Sequence, residues 1–156
     1  MRARLALLFV LLVGALSADA AAPIAYPTGF RGWTHVKSAL IGPSHPAFAT
    51  EGGIHHIYAN PAAVTGYRTG KFADGATIVY ELLETSEANG VTTEGARRRL
   101  DMMTRDSARF ASTGGWGFER FMHGREEERA LGESGGAKCY DCHKKQETAV
   151  FSVLRD

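Results

Sequence analysis

The sequence predicts an α+β domain built mainly on an antiparallel β-sheet with a few helices. Several segments alternate apolar and polar residues and are rich in β-branched and aromatic side chains, a pattern typical of half-buried strands. Short turns rich in Gly and Asp separate these segments. The length of 156 residues suits one domain. Together these observations favour strands and helices packed in one α+β unit.

The strands are expected in four places. The alternating pattern predicts strands over residues 54–60, 76–84 and 116–123, and a further strand over residues 33–40. In the strand over 76–84, Ile78, Tyr80 and Leu82 share one face, because successive side chains of a strand point to opposite faces. Tyr80 is therefore expected among apolar side chains.

Helices are expected between and after these strands. Leu100, Met103 and Phe110 lie three and seven residues apart, which predicts a helix over residues 94–110 whose solvated face carries the basic run 97–99. Asn60 followed by Pro61 predicts a capped short helix. The glycine-rich stretch 132–136 is expected to be a loop.

The N-terminus has the features of an export signal. A short basic start, an apolar run over residues 5–16 and the small-residue pattern Ala18-Asp19-Ala20 predict a signal peptide over residues 1–20. The apolar run is shorter than the about 20 residues that a membrane span needs. One domain over residues 21–156 follows, formally neutral and with no membrane span. This lack of cationic excess argues against nucleic acid as a partner.

The two cysteines of the chain fall in one motif, Cys139-Tyr140-Asp141-Cys142-His143. The C-x-x-C-H spacing is the attachment signature of c-type haem, because two thiols three residues apart can each add to a vinyl group of one porphyrin. The adjacent His143 would then bind the iron, with its other ring nitrogen held by a backbone carbonyl. The predicted domain therefore encloses one covalent haem c.

Three other interpretations of the motif remain open. A structural disulfide would use both cysteines but leave His143 without a role, and a zinc site would need further cysteines. A thioredoxin-like redox pair would need a βαβ setting that the predicted elements do not provide.

The second axial position decides between electron transfer and ligand binding. A sixth ligand would make an electron carrier, whereas an open site would bind a small molecule. The methionines and histidines that could supply it are Met102, Met103, Met122, His35, His45, His55, His56 and His123. A methionine on a helix face more often fills the core than binds a metal. His55 and His56 are neighbours on a predicted strand, so only one of them can point inward.

Nearly the whole mature chain resembles the cytochrome P-460 and cytochrome c′-beta family of periplasmic haem proteins. The matching segments are Tyr26-Pro27, residues 33–38, residues 55–60, Gly66-Tyr67, residues 70–76, Glu81-Leu82, residues 114–119, the haem motif and residues 150–152. The resemblance implies a mostly antiparallel β domain, usually a homodimer, with a five-coordinate haem c held by His143.

The resemblance also divides the family by the residues around the iron. Members of the P-460 type carry a lysine that cross-links to the porphyrin, and they oxidise hydroxylamine. The c′-beta members bind gases such as nitric oxide behind an apolar cap. Tyr80 stands at the position of the lysine here, so the chain is closer to the c′-beta type, and Lys71 in the preceding turn is expected to be exposed. Glu133 and His55 are candidate proton-transfer groups.

Three functions are therefore considered. The leading hypothesis is a periplasmic cytochrome whose open distal site binds nitric oxide or a similar small ligand beside Tyr80. The second is enzymatic oxidation of hydroxylamine or nitric oxide, with Glu133 or His55 moving protons. The third is electron transfer to a redox partner protein through a six-coordinate haem.

Overall fold

The computed structural model describes residues 22–155. The predicted signal peptide lies outside these residues. The elements in chain order are β1 (Thr34–Ile41), α1 (Phe48–Glu51), β2 (Gly53–Ala59), α2 (Pro61–Thr69), β3 (Thr77–Ala88), β4 (Val91–Arg105), β5 (Trp116–Met122) and α3 (Gly132–His143).

The five strands form one antiparallel sheet in the order β1-β2-β3-β4-β5. This confirms the α+β prediction and the four expected strands, whose observed ends differ from the predicted ones by a few residues. β3 is the exception, because it continues to Ala88 in a long hairpin with β4. Each strand neighbours the next one in sequence, so short connections suffice to build the sheet.

The predicted helix over residues 94–110 is wrong, because most of this segment is strand β4. Leu100 and Met102 lie in the core on one face of the sheet. Arg99 and Asp101 alternate with them and line a cavity on the other face. These charged side chains form ion pairs in the structure. In the sequence, their spacing resembles that of the polar face of a helix, which explains the wrong prediction. The run 97–99 is correspondingly not a solvated face: Arg97 binds Glu81 and Arg99 is 7% exposed.

The turn between β3 and β4 explains why the hairpin forms. Asn89 has φ 54° and Gly90 has φ 75°, and two successive residues at positive φ are the feature of a type I′ turn. Asn-Gly is the sequence that such a turn favours, because Gly has no Cβ and Asn tolerates the left-handed region. The dipeptide is therefore the local signal for strand β4 that the helical spacing obscured.

The predicted short helix after Asn60 is confirmed as α2. The Asn60 side chain accepts a hydrogen bond of 2.9 Å from the backbone N–H of Ala63, and Pro61 occupies the first turn. By contrast, the stretch 132–136 is not a loop but the first part of α3. Gly132, the first residue of α3, has φ 57°, a conformation that glycine adopts without strain.

The sheet has an apolar core on each face. One core contains Val36, Ile78, Met103, Trp116 and Phe118, with Cys139 and Tyr140 of α3 packed against it. The other contains Ile24, Phe30, Val79, Leu100, Met102 and Phe121. Helix α3 therefore covers the face to which Tyr80 belongs.

None of the helices in the described part of the chain has the length and hydrophobicity that crossing a bilayer requires.

Candidate functional site

A cavity of about 530 Å³ lies between the sheet and helix α3. Its lining includes His55 and Tyr80 from the sheet, Cys139, Cys142 and His143 from α3, and the chain after this helix at residues 150–152. The predicted attachment residues and the predicted distal residues thus face one space. Such a space, apolar with a few polar groups, is typical of a cofactor site.

His143 is held in one orientation by the chain that follows it. Its Nδ1 donates a 2.7 Å hydrogen bond to the backbone carbonyl of Ala149. A carbonyl only accepts, so Nδ1 carries the hydrogen and Nε2 has a free lone pair. The ring also lies between Phe118 and Phe151, whose centroids are 5.1 and 5.0 Å away. The imidazole therefore has the tautomer and the fixed position that a metal ligand needs.

A strained turn supplies this carbonyl. The backbone N–H of Gln146 donates to His143 O, and that of Ala149 donates to Gln146 O, so the chain turns back on itself after α3. Ala149 has φ 62° and is buried. A non-glycine residue at positive φ is uncommon and costs about 1–2 kcal/mol, so the surrounding packing must hold this conformation.

The two cysteines occupy positions i and i+3 of α3, so they lie on the same side of the helix. Both thiols are free in the structure. Burial raises the pKa of Cys139 above its ordinary value, against a smaller opposing effect of Arg120. A raised pKa keeps the thiol protonated at neutral pH, which is unlike the activated thiolate of a redox pair.

The donor groups also count against a zinc site. Among residues 22–155, no group of three or more His, Cys, Asp or Glu side chains is placed to hold a metal ion. Cys139, Cys142 and His143 do not form such a group, although they are close in sequence.

Across the cavity, His55 and Tyr80 form a stacked pair. Their ring centroids are 4.7 Å apart with an angle of 27° between the planes. Within the described part of the chain, His55 Nδ1 is the one buried side-chain N or O atom without a hydrogen-bond partner. Desolvation by burial, with a smaller effect of the Lys37 charge, lowers the pKa of His55. The imidazole is therefore neutral at pH 7 and has an unused polar atom beside the cavity.

Tyr80 is less apolar in its surroundings than predicted. Its hydroxyl donates a 3.1 Å hydrogen bond to Glu51 Oε2, and the Arg99 guanidinium lies 5.7 Å from its ring centroid. Burial and the Glu51 carboxylate raise the pKa of Tyr80 well above its ordinary value. The phenol consequently stays protonated and is committed to Glu51 as a donor.

A chain of ion pairs lines the same wall of the cavity. Glu51 contacts Arg99 at 2.5 Å, Arg99 contacts Asp101 at 2.9 Å, and Asp101 contacts Arg120 at 2.5 Å. Arg99 also donates to the carbonyl of Thr50. The charges compensate one another, so the wall is polar without a large net charge.

None of these four charged residues was predicted as part of the site. Assignment of residues 94–110 to a helix removed Arg99 and Asp101 from the sheet and hid their neighbours. With β4 in register, Asp101 lies opposite Tyr80 on one side and Arg120 on the other. Glu51, on the segment between β1 and β2, had no signal in the sequence.

The other predicted residues fall in different places. Of the eight possible sixth ligands, the structure brings three to the cavity lining: Met102, Met103 and His55. Met103 is also buried in the core beside the cavity, whereas the Met102 side chain is buried in the core on the opposite face of the sheet, as filling side chains are. Glu133 lies in the first turn of α3, and its side chain is outside the described part of the structure. Lys71 is exposed, whereas Lys37 on β1 contributes to the lining.

The domain encloses a cavity between its sheet and a helix that carries a C-x-x-C-H motif. The imidazole of this motif is held in one orientation with Nε2 free. These features define the class of haem-binding proteins. The family model described as Cytochrome P460 matches residues 27–152. The chain therefore belongs to the cytochrome P460 family, and this membership implies that it binds haem. A search of curated proteins found no match to the chain.

The residues of the cavity fit a haem. His143 has a free Nε2, the two thiols lie on the same helix, and His55 has a buried polar atom without a partner. A bound haem supplies an iron that coordinates diatomic ligands and exchanges electrons.

Proposed function

We propose that the chain is a periplasmic mono-haem c-type cytochrome whose open distal site binds nitric oxide or a similar small ligand. One haem would be attached through Cys139 and Cys142, with His143 as the protein ligand of the iron. The observation that carries the proposal is the stacked pair of His55 and Tyr80 in the cavity that also contains His143.

The pair is suited to cover a ligand site without occupying the iron. Tyr80 donates a hydrogen bond to Glu51 and stays a neutral phenol. Because tyrosine binds iron as an anionic phenolate, Tyr80 is a poor iron ligand in this state. His55 is neutral and its Nδ1 is unpartnered. His55 lines the cavity, so its neutral imidazole could hydrogen-bond a ligand there.

Tyr80 also supports binding over oxidation. Family resemblance places the cross-linking lysine of hydroxylamine-oxidising members at this position, and a phenol cannot form the same link. We therefore infer that the c′-beta type describes the chain better than the P-460 type. The export signal and the periplasmic location, a homodimeric state and a redox partner protein belong to the same proposal.

The ferrous absorption spectrum of the purified holoprotein tests the proposal. We expect a five-coordinate spectrum that changes on addition of one equivalent of nitric oxide, and likewise with carbon monoxide. A six-coordinate low-spin ferrous spectrum that nitric oxide leaves unchanged would contradict the proposal and favour an electron carrier.

A second assay separates binding from catalysis. We expect no sustained oxidation of hydroxylamine with an electron acceptor. Turnover by the wild type that is lost in Glu133→Ala or His55→Ala would instead establish the enzymatic alternative.

A further inference from the structure

A second cluster of histidines lies on the face of the sheet opposite the haem cavity. His35 and Ser38 come from β1 and His56 from β2, and none of them lines the cavity. Ser38 lies directly opposite His56 in the strand register. The proposed function uses His55 but leaves its neighbour His56 and this cluster without a role.

An irregularity in β1 brings the cluster together. The register shifts between His35 and Lys37, so Val36 is an extra residue without a partner in β2. In a regular strand, positions 35 and 38 would point to opposite faces, because their separation is odd. The bulge places both on the face of His56, while Val36 is buried in the core next to the cavity.

The two imidazoles converge on one point. Ser38 Oγ lies 2.8 Å from His35 Nε2 and 2.6 Å from His56 Nδ1. The ring centroids of the histidines are 5.9 Å apart. If the Ser38 side chain rotates away, the two ring nitrogens need to approach this position by less than about 1 Å to reach the about 2.0–2.1 Å of a zinc–nitrogen bond.

A carboxylate fixes the tautomer of one imidazole. His56 Nε2 lies 2.6 Å from Glu94 Oε1, and an ionised carboxylate only accepts hydrogen bonds. The hydrogen of His56 is therefore on Nε2, and Nδ1 accepts the hydrogen of the Ser38 hydroxyl. Ser38 Oγ in turn accepts from His35 Nε2, so a metal ion would replace the Ser38 hydroxyl between the rings and the hydrogen of His35 would move to Nδ1. A histidine whose second nitrogen donates to a carboxylate is the usual arrangement around protein-bound zinc.

Packing restricts the rings further. The Tyr58 ring lies 5.6 Å from His35 in an edge-to-face arrangement and 6.3 Å from His56. The His56 side chain is 13% exposed, and Glu94 is 50% exposed. The site is thus ordered at its base and open to solvent on the side of Glu94, so an ion can enter and retain water ligands.

We propose that His35 and His56 form a surface site for one borderline divalent transition metal ion, Zn²⁺ or Cu²⁺. The two imidazoles would be the protein nitrogen ligands, Glu94 would orient His56, and water or the Ser38 hydroxyl would complete the coordination. Residues 22–155 contain no group of three or more His, Cys, Asp or Glu side chains placed to hold a metal ion, so this site has only two histidine ligands. We therefore expect its metal affinity to be lower than that of a closed structural site. The site is independent of the haem.

Metal titration of the haem-loaded full-length mature chain tests the proposal. Calorimetry with Zn²⁺ is expected to show one saturable site, and the electron paramagnetic resonance of bound Cu²⁺ is expected to show two nitrogen ligands. His35→Ala or His56→Ala should weaken binding by at least tenfold and reduce the copper spectrum to one nitrogen. Glu94→Gln should weaken binding by roughly tenfold, the cost typical of losing an orienting carboxylate.

His123→Asn is the matched control. His123 is an exposed histidine that contacts Glu128 at 2.6 Å, and its φ of 54° suits Asn. The control should bind both metals like the wild type. Absence of saturable binding in the wild type, an unchanged isotherm in the His35→Ala/His56→Ala double variant, or loss of binding in His123→Asn would each overturn the proposal.

Discussion

His143 and His55 line the same cavity, but the structure holds them in different ways. His143 uses its Nδ1 to bind the Ala149 carbonyl, and this contact leaves Nε2 free for a metal. His55 uses the face of its ring to stack on Tyr80, and its Nδ1 has no partner. An unsatisfied buried polar atom costs about 1–3 kcal/mol. His55 therefore destabilises the fold, and contact of its imidazole with a ligand in the cavity that it lines would explain why it is there.

Replacement of His55 by Ala tests this explanation. The variant loses a hydrogen bond of about 1 kcal/mol to the ligand, so the ligand should dissociate roughly five- to tenfold faster. The rate is measured by stopped-flow displacement of carbon monoxide or nitric oxide from the ferrous holoprotein. His45→Ala, at an exposed position outside the cavity lining, should have the wild-type rate, and equal rates in all three proteins would contradict the account.

The pH dependence of stability gives a second test of the same residue. The pKa of His55 is lowered in the folded chain, while the unfolded value is about 6.5. Below pH 6.5 the unfolded state binds more protons at this site, so its contribution to stability falls with decreasing pH until the folded pKa is passed. Denaturant unfolding should therefore show a smaller loss of stability below pH 6.5 in His55→Gln than in the wild type. Parallel curves of unfolding free energy against pH for the two proteins would show that the pKa of His55 is not lowered in the folded chain.

Individual residues of the site were predictable to different degrees. Cys139, Cys142 and His143 follow from one motif, and the carbonyl partner of His143 follows from the general behaviour of metal-binding imidazoles. Tyr80 follows from strand alternation and the family resemblance. Its partner Glu51 did not, because 29 residues separate them and a contact of this kind depends on the fold.

At the scale of elements, helix α3 and the turn after it act as one unit. The helix positions both cysteines and ends at His143, and the turn brings the Ala149 carbonyl back to the imidazole. The orientation of His143 therefore depends on the conformation of Ala149, which has positive φ.

Ala149→Val tests this dependence, because a β-branched side chain is strongly disfavoured at positive φ. The free energy of unfolding should fall by about 1–3 kcal/mol, and the iron–histidine vibration of the ferrous holoprotein should shift as His143 loses its partner. Ala130→Val, at an exposed position with no positive φ, should change neither quantity. A wild-type vibration in Ala149→Val would show that the turn does not hold the imidazole.

The β3–β4 hairpin shows why one element was predicted incorrectly. Apolar spacing suggested a helix over residues 94–110, but the Asn89-Gly90 turn and the long ladder with β3 make it a strand. Leu100 and Met103 are core residues in either interpretation. Only the partners of Arg99 and Asp101 distinguish the two interpretations, and these partners come from other strands.

Gly90→Ala provides the test of the turn. An added Cβ at φ 75° should reduce the free energy of unfolding by about 1–2 kcal/mol. Gly42→Ala is the control, because a Cβ there meets no atom within 4 Å and the φ is not positive. Chemical denaturation of both variants gives the comparison, and equal stabilities would contradict the I′ turn.

At the scale of the whole molecule, the cavity connects the binding of haem to stability. A rigid, apolar cofactor bound in the cavity of about 530 Å³ would add packing contacts to the residues that line it. The composition and the predicted strands were sufficient for the α+β class. The cavity itself could not be predicted, because its walls come from five strands and two helices that meet only after folding.

If Cys139 and Cys142 attach the haem as proposed, their loss should destabilise the protein. The Cys139→Ser/Cys142→Ser variant should release its haem into acidified acetone, whereas the wild type should retain it. Without the haem, a loss of a few kcal/mol would lower the melting temperature by on the order of 10 °C for a domain of this size. Lys138→Ser, at an exposed position of the same helix, should keep both the haem and the wild-type melting temperature.

An anomalous difference map, recorded at the iron absorption edge from crystals of the haem-loaded mature protein, tests directly whether His143 binds a haem iron whose other side is open. We expect one iron peak in the cavity, bonded to His143 Nε2, with no protein atom bonded on the opposite side where His55 and Tyr80 lie. An iron peak elsewhere, or a methionine sulfur or second imidazole bonded to the iron, would contradict it.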